Sequence, residues 1–304
     1  LVAIRDEGSK ALYTGELAEK MAKEIRDIGG ILTKEDLARY QATLRSPVVG
    51  RGISGVALVG MPPPSSGGAA IIGAAKFLSG FSSPLAMFPD TISVHRRVEA
   101  LKHVFAIRMS LSDPAYNSKV VEDAVSDLIE TDYIAQLREM HRDNTSLPMS
   151  EYGGYKWSQL NDTDGEKEAK DAKEGDRRRR QLRGRRFGYL NDHGTSHYSI
   201  VDHEGNAVSM TTSVNTYFGS TFASPSTGVL FSSTMDDFGN PGVPDAFGLI
   251  PSEANFIEPY KKALSSMSPT MVFRESMDSP DIGRLMLVAG ASGGPKIISA
   301  VTGV

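Results

Sequence analysis

Residues 191–200, NDHGTSHYSI, place a hydroxyl and an imidazole directly after a glycine. Thr195 follows Gly194, and His197 lies two positions further along. A threonine hydroxyl becomes a useful nucleophile when a nearby base takes its proton, and the free α-amine of an N-terminal threonine is one such base. The stretch therefore has two interpretations: the entrance to a β-strand, or a point where the chain cuts itself and exposes Thr195 as an N-terminal nucleophile.

The residues that follow Thr195 predict a β-hairpin. Alternation through SHYSIVD is followed by the turn-rich segment DHEGN at 202–206 and then by AVSMTTSV. A turn centred on Glu204 places Thr195 opposite Ser213, with side chains separated by about 5 Å. Asn215 is then the diagonal neighbour on the same face, because strand side chains alternate with period two.

The two faces of this hairpin differ in chemistry. One face carries small hydroxyls, an imidazole and an amide: Thr195, His197, Ser199, Ser209, Thr211, Ser213 and Asn215. The other face carries mainly apolar side chains: Tyr198, Ile200, Val208, Met210 and Val214, with Ser196 and Thr212. The apolar face is expected to belong to the core. The polar face suits either solvent or a site, and its lack of Lys, Glu and Arg favours a site.

Helices are expected upstream of this hairpin, and strands dominate after it. Apolar spacing and turn residues predict a helix over 14–30, short strands over 49–61, a glycine-rich helix start after MPPPSSGG, and helices beginning at Arg96 and at Asp127. Interleaved helices and strands indicate a layered α/β or α+β fold.

Residues 162–186 form a charged segment almost without apolar side chains, so we expect a disordered insert there. Its arginine-rich part, from Arg177 to Arg186, also suits a nucleic-acid or nuclear-import patch. The solvated insert is the favoured interpretation, because acidic residues lie just upstream and the net charge is −4. No nucleic-acid partner is expected.

Composition narrows the chemistry further. The 304 residues include no cysteine, which excludes disulfides, thiol catalysis and thiolate metal sites. His193 and His197 are four apart, but no carboxylate cluster accompanies them, so neither a metal nor another cofactor is expected. No run is long and apolar enough for a membrane span, and the first residue is Leu1, so a missing N-terminus is expected.

Several motifs, in order along the chain, resemble the γ-glutamyltranspeptidases (glutathione hydrolases). They are MPPPSSGG, HRRVEALKHVFAIRMSLSDP, HGTSHYSIVDHEGNAVSMTTSVNTYFGS, STGVLFSSTMDDFGNPGVP, ALSSMSPT and LVAGASGGPKII, and the second is closest to the plant-type branch. The resemblance implies an α+β fold, the αββα sandwich of N-terminal-nucleophile hydrolases, incomplete in this chain. Residues 1–194 then correspond to the C-terminal part of the large subunit, and residues 195–304 to a small subunit truncated at its C-terminus.

The chemistry that this resemblance implies begins with cleavage between Gly194 and Thr195. Thr195 would then attack the γ-carbonyl of glutathione or another γ-glutamyl amide and form a γ-glutamyl-threonine ester. Water, an amino acid or a peptide would accept the γ-glutamyl group. The partners implied are therefore small-molecule substrates, and the two subunits come from one precursor.

The resemblance also assigns site residues position by position. Ser213 matches a hydroxyl that bonds the nucleophile, and the backbone N–H groups of Gly293 and Gly294 match the oxyanion donors. The glutamyl head group would be held by matches to its ammonium and carboxylate ligands: Asn215, Thr234, Asp237, Ser265 and Ser266.

Two departures support an alternative, a catalytically inactive homologue or truncated product. Thr234 stands where the family has Glu or Gln, and the family's carboxylate-binding arginine lies upstream of Leu1. A secretory-pathway location is expected from the family, and the sequons at Asn144 and Asn161 fit it.

Overall fold

The computed structural model describes residues 1–81, 90–158, 194–243, 251–275 and 282–304. The charged segment at 162–186, together with His193 and Asn161, lies outside these described residues. The predictions made for them therefore stay predictions.

Helices dominate the part of the chain before the hairpin. The helices are α1 Val2–Glu7, α2 Lys10–Tyr13, α3 Glu16–Asp27, α4 Lys34–Arg39, α5 Gly67–Ser79, α6 Thr91–Arg108, α7 Ser118–Ile129, α8 Thr131–Met140, α9 Gly154–Trp157 and α10 Lys296–Thr302. The strands are β1 Val48–Ile53, β2 Val56–Gly60, β3 Thr195–Val201, β4 Ala207–Ser213, β5 Thr270–Glu275 and β6 Ile282–Ala289. No helix among the described residues is long and apolar enough to cross a lipid bilayer.

Four of the strands form one antiparallel sheet in the order β1-β2-β5-β6, and β3 pairs with β4 in a separate hairpin. In the larger sheet Val48 lies opposite Gly60, and Thr270 lies opposite both Gly60 and Ala289. This register unites strands from the two ends of the chain. The strands predicted over 49–61 are therefore confirmed as β1 and β2.

Helix α5 packs on the four-stranded sheet and is the centre of the core. Almost all of its residues are buried, which is why its sequence is apolar on every side. Ile72 and Phe77 are 1% and 0% exposed. Helices α6, α7, α8 and α10 pack around α5, and α5 itself lies against β1 and β2 of the sheet.

The glycines of MPPPSSGG allow the close start of α5. A Cβ at Gly67 would collide with Ser268, and a Cβ at Gly68 would collide with the backbone of Met61. Only a residue without a side chain lets the helix begin this near to both neighbours. The predicted glycine-rich helix start is confirmed.

One predicted helix proves to be two. The apolar spacing from Asp127 suggested a single helix, whereas α7 ends at Ile129 and α8 begins at Thr131. Glu130 between them has extended backbone angles, φ −79° and ψ 137°. Periodicity missed this break because α7 and α8 both turn buried residues, Leu128 and Ile134, toward the same core. The other two helix predictions are confirmed as α3 and α6, although α6 begins at Thr91.

Candidate active site

The hairpin pairs as its sequence predicts. Thr195 lies opposite Ser213, and Val201 lies opposite Ala207. The two hydroxyl oxygens, Thr195 Oγ1 and Ser213 Oγ, are 2.8 Å apart. Ser213 Oγ also accepts a hydrogen bond of 2.9 Å from the backbone N–H of Asn215. The backbone therefore fixes the position of Ser213, and Ser213 in turn fixes the hydroxyl of Thr195.

Asn215 turns the chain out of the hairpin and into the site. Its φ of 73° lies in the left-handed region, which asparagine adopts more readily than most residues. Its side-chain amide donates to the carbonyl of Ser233 at 3.0 Å, and the residue is only 7% exposed. This burial and anchoring hold the amide beside Thr195 and Ser213.

Gly194 continues the hairpin ladder by one more pair. Its N–H donates to the carbonyl of Asn215 at 2.8 Å, and its own carbonyl accepts from Val214 N–H at 2.9 Å. A Cβ at Gly194 would collide with the carbonyl oxygen of Thr216 and with the side chain of Val214. The carbonyl beside Thr195 is therefore held by a backbone donor, at a position where close packing requires glycine.

The polar face of the hairpin packs toward β6. Ser209 Oγ donates to the carbonyl of Ala289 at 3.1 Å, and the imidazole of His197 lies against Gly290. The ring nitrogens of His197 contact Thr211 Oγ1 at 2.9 Å and Ser199 Oγ at 3.0 Å. Burial lowers the pKa of His197, so the neutral imidazole is favoured at this contact.

The expectation that the apolar face forms core is wrong for this chain. Tyr198, Ile200, Val208 and Met210 are 46%, 59%, 52% and 49% exposed. The reason is that β6 and the loop after it approach the hairpin from the polar side. The described residues leave the apolar side largely uncovered.

Two glycines follow β6 and turn the chain into α10. Gly293 and Gly294 have φ values of 128° and 59°, which favour glycine over other residues. Their carbonyls accept hydrogen bonds from Lys296 N–H at 3.2 Å and Ile297 N–H at 3.0 Å. These bonds fix the orientation of the peptide groups in the loop.

The serine pair is fixed by the turn that precedes α5. Ser265 N–H donates to the carbonyl of Pro64 at 2.9 Å, and the carbonyl of Ser265 accepts from both the N–H and the hydroxyl of Ser66, each at 2.8 Å. Ser66 itself is fully buried. The loop bearing Ser265 and Ser266 is thus hydrogen-bonded to the well-packed start of the central helix.

Thr234 and Asp237 lie on a single 3₁₀ turn, Thr234–Asp237. Thr234 Oγ1 contacts Ser232 Oγ at 2.8 Å, and the backbone carbonyl of Asp237 accepts from Asn255 Nδ2 at 2.7 Å. The turn is therefore anchored on both sides.

A cavity of about 560 Å³ brings most of the predicted residues together. The predicted site residues among its lining are Thr195, Ser213, Asn215, Thr234, Asp237, Ser265, Ser266 and Gly294. Gly293 and Gly194 are not lining residues, but each is the chain neighbour of one that is. Within the described part of the chain, no three His, Asp or Glu side chains are grouped so that they could hold a metal ion.

Arg108 lines the same cavity, and sequence reasoning missed it. Arg108 is 4% exposed, and its guanidinium donates to Ser66 Oγ at 2.9 Å and to Ser266 Oγ at 2.8 Å. A signal was present in the sequence. Arg108 falls four positions after Val104 and directly after Ile107, on the buried face of α6, and charged residues are seldom fully buried without partners.

The arrangement combines a hydroxyl nucleophile with groups suited to a zwitterion. Thr195 supplies the hydroxyl, Asp237 supplies a carboxylate for a cation, and Ser265 and Ser266 supply hydroxyl donors for an anion. A cavity of this kind is suited to acyl transfer from a ligand that carries both an ammonium and a carboxylate.

The fold has solved counterparts. A cephalosporin acylase from Bacillus halodurans superposes with a TM-score of 0.68 at 20% identity, covering 99% of this chain and 44% of that one. The chain therefore shares the fold class of this acylase.

Sequence comparison gives the family within that class. The family model described as gamma-glutamyltranspeptidase matches residues 1–304. Glutathione hydrolase 2 of Arabidopsis thaliana is 37% identical over 100% of this chain and 46% of its own length. Glutathione hydrolase proenzyme of Escherichia coli is 33% identical over 99% of this chain and 45% of its own length. The chain belongs to the γ-glutamyltranspeptidase family, and it spans somewhat less than half the length of these relatives.

Proposed function

We propose that this protein transfers and hydrolyses the γ-glutamyl group of glutathione and of other γ-glutamyl amides. The observation that carries the proposal is the shared cavity, whose lining includes Thr195, Asp237 and the serine pair Ser265 and Ser266. The family to which the chain belongs, and relatives named glutathione hydrolase, support the same conclusion.

The reaction begins with cleavage of the chain itself. Thr195 Oγ attacks the carbonyl carbon of Gly194, the peptide C–N bond breaks, and an ester forms between Gly194 and the Thr195 oxygen. Water then hydrolyses this ester and leaves a free α-amine on Thr195. The pieces are a large subunit that ends at Gly194 and a small subunit that begins at Thr195. The word proenzyme in the names of several relatives supports such processing.

The free α-amine then serves as the base for catalysis. It takes the proton of Thr195 Oγ as that oxygen attacks the γ-carbonyl carbon, and the leaving amine receives a proton as the C–N bond breaks. Backbone N–H groups of Gly293 and Gly294 stabilise the tetrahedral oxyanion, and such donors contribute about 3–4 kcal/mol each. Water, an amino acid or a peptide then attacks the γ-glutamyl-threonine ester and regenerates the hydroxyl.

The head group of the substrate is held by charge and hydrogen bonds. The carboxylate of Asp237 binds the α-ammonium, with Asn215 and Thr234 beside it. The hydroxyls of Ser265 and Ser266 bind the α-carboxylate. Thr234 has a shorter side chain than the Glu or Gln that the family places there, so we expect weaker ammonium binding than in those relatives.

The test combines intact mass with turnover. Mass spectrometry of the purified protein should show two chains divided between Gly194 and Thr195. The processed protein should release p-nitroaniline from γ-glutamyl-p-nitroanilide. A single uncut chain that releases no p-nitroaniline would contradict the proposal and favour a catalytically inactive homologue.

A matched pair of aspartates tests the head-group assignment. Asp237→Asn should raise KM for γ-glutamyl-p-nitroanilide by roughly tenfold to a hundredfold, because a charge-assisted hydrogen bond contributes about 1.5–3 kcal/mol. Asp236→Asn is the control, since Asp236 lies on the same turn but does not line the cavity. Equal effects of the two substitutions would remove Asp237 from the proposed role.

A location in the secretory pathway is the final part of the proposal. The sequon asparagine Asn144 lies on an exposed turn, where an oligosaccharide could be accommodated. Treatment of the native protein with peptide N-glycosidase should lower its mass, and Asn144→Gln should abolish that change. An unchanged mass for the native protein would argue against this location.

A further inference from the structure

Arg108 joins three segments that are far apart in sequence. It is the last residue of α6, and its hydroxyl partners Ser66 and Ser266 are 42 and 158 positions away. Ser66 lies in the turn before α5, and Ser266 lies in the loop before β5. The guanidinium therefore lies beside Ser266, at the wall of the cavity.

The hydrogen-bond directions at Ser266 follow from the chemistry of its partner. A guanidinium has only donors, so Ser266 Oγ must accept the 2.8 Å bond from Arg108. A serine hydroxyl has a single proton, and this proton is not used in that bond. Ser266 is therefore oriented with its own O–H available to donate to another oxygen. Because Ser266 lines the cavity, a ligand oxygen there is within its reach.

The same residue adds positive charge at this wall. Arginine stays protonated at all ordinary pH values, and Arg108 is 4% exposed. In a buried, low-dielectric environment such a charge interacts with a nearby anion more strongly than a charge at the surface does. Its Nε bond to Ser66 at 2.9 Å fixes the plane of the guanidinium, so the direction of the second donor is also fixed.

We propose that Arg108 is a positioning residue for the ligand's α-carboxylate: it holds Ser266 as a hydrogen-bond donor and provides positive charge beside Ser266. This inference rests on the proposed function, since it concerns one end of the same γ-glutamyl subsite. It assigns to this chain an arginine for the carboxylate that sequence reasoning expected only upstream of Leu1.

The experiment compares three small ligands that differ in one group each. L-Glutamate carries the α-ammonium and the α-carboxylate, 4-aminobutyrate lacks the α-carboxylate, and glutarate lacks the α-ammonium. Affinities are measured by ligand-observed NMR titration on the purified wild-type protein, whether cut or uncut, and on the variants Arg108→Gln and Arg108→Lys. The KM and kcat for γ-glutamyl-p-nitroanilide are measured on the same samples.

The expected result is a selective loss. Arg108→Gln should weaken L-glutamate and glutarate by about tenfold to a hundredfold, the range for a lost charge-assisted contact, and should leave 4-aminobutyrate unchanged. KM for the anilide should rise by a similar factor while kcat changes less than about twofold. Arg108→Lys should recover part of the affinity, because lysine restores the charge without the fork of donors.

A double substitution tests whether Arg108 acts through Ser266. If it does, adding Ser266→Ala to Arg108→Gln should weaken L-glutamate far less than Ser266→Ala does alone. Arg138→Gln is the matched control. Arg138 also joins helices, by donating to the carbonyls of Lys76 and Phe77 at 3.1 and 3.3 Å, but it does not line the cavity. Its loss should leave all three affinities unchanged.

The outcomes separate this inference from the proposed function. A parallel loss of all three ligands in both Arg108 variants, or no loss of any, would overturn the positioning role. A wild-type protein that binds no L-glutamate would overturn it as well. If the wild type binds L-glutamate in an Arg108-dependent way but neither cuts itself nor turns over the anilide, the proposed function fails and this inference stands. If Arg108→Gln does not fold, the Arg108→Lys measurements decide.

Discussion

The hairpin β3–β4 and the central helix α5 differ sharply in how they are covered. Phe77 on α5 is fully buried, whereas Tyr198 and Ile200 on the hairpin are 46% and 59% exposed. Yet Thr195, the candidate nucleophile, lies on the hairpin, while Ser265 and Ser266 are tied to the start of α5. The candidate nucleophile thus lies on the thinly packed element, whereas the serine pair is hydrogen-bonded to the start of the well-packed one.

The largest expected effect concerns Thr195 on the hairpin. Thr195→Ala should abolish both chain cleavage and anilide turnover, a loss of at least about a thousandfold, because the attacking oxygen is gone. Intact mass and p-nitroaniline release measure the two activities. Ser196→Ala is the control, since Ser196 lies on the opposite face of β3. A Thr195→Ala chain that still cuts after Gly194 would contradict the assignment.

The next effect concerns packing. Phe77→Ala should lower the free energy of unfolding by about 3–5 kcal/mol, the usual cost of removing a buried aromatic ring. Tyr198→Ala should lower it by less than about 1 kcal/mol, because its ring is half exposed. Urea unfolding of both variants gives the two values. Similar losses would mean that the apolar face of the hairpin is covered in the folded protein.

Acid should lower the free energy of unfolding between pH 6.5 and 4, through a histidine buried among the helices. His103 on α6 is 1% exposed, and burial lowers its pKa from 6.5 to about 4. Between pH 6.5 and 4 the unfolded chain binds a proton there and the folded chain does not, so stability falls as the pH falls. The loss from this group should reach about 3 kcal/mol at about 1.4 kcal/mol per pKa unit.

Two glutamine variants test the origin of this acid sensitivity. His103→Gln does not titrate and keeps an acceptor for Gly153 N–H, which His103 Nδ1 now bonds at 3.1 Å. Its urea-unfolding free energy should change less between pH 6.5 and 4 than that of the wild type. The exposed His203 provides the control, because His203→Gln should follow the wild type. Identical pH dependence in all three proteins would exclude His103 as the source.

The smallest expected effect concerns Ser213, the hydrogen-bond partner of Thr195 on the hairpin. Ser213→Ala removes the hydroxyl that lies 2.8 Å from Thr195 Oγ1. A single hydrogen bond contributes about 1 kcal/mol, so kcat for the anilide should fall by about fivefold. Thr212→Ala, one residue away on the opposite face, should leave kcat unchanged. An unchanged kcat in Ser213→Ala would show that the backbone alone positions Thr195.

Local signals in the sequence were enough for the hairpin register. The turn at 202–206 and strict alternation placed Thr195 opposite Ser213, as the structure has it. Which hairpin face turns inward was not predictable from the same signals, because that depends on the distant residues Ala289 and Gly290. Hydrophobicity alone pointed to the wrong face.

Some residues of the candidate site were predictable from the sequence, and others were not. Asp237, Ser265 and Ser266 were found through motif resemblance, and the cavity brings them together with Thr195. Arg108 was not found, because its relevance comes from two hydroxyls that only the folded chain brings near it. Its spacing on α6 indicates a buried position, but its two hydroxyl partners depend on tertiary packing.

The extra ladder pair at Gly194 has a consequence for the state after cleavage. In the continuous chain the Gly194 carbonyl accepts a hydrogen bond from the N–H of Val214, and the Gly194 N–H donates to the carbonyl of Asn215. Departure of Gly194 would release one donor and one acceptor of the main chain, both adjacent to the new terminus. Cleavage would then expose two main-chain hydrogen-bonding groups as well as a free amine. Until Gly194 leaves, it would compete with any ligand for these two groups.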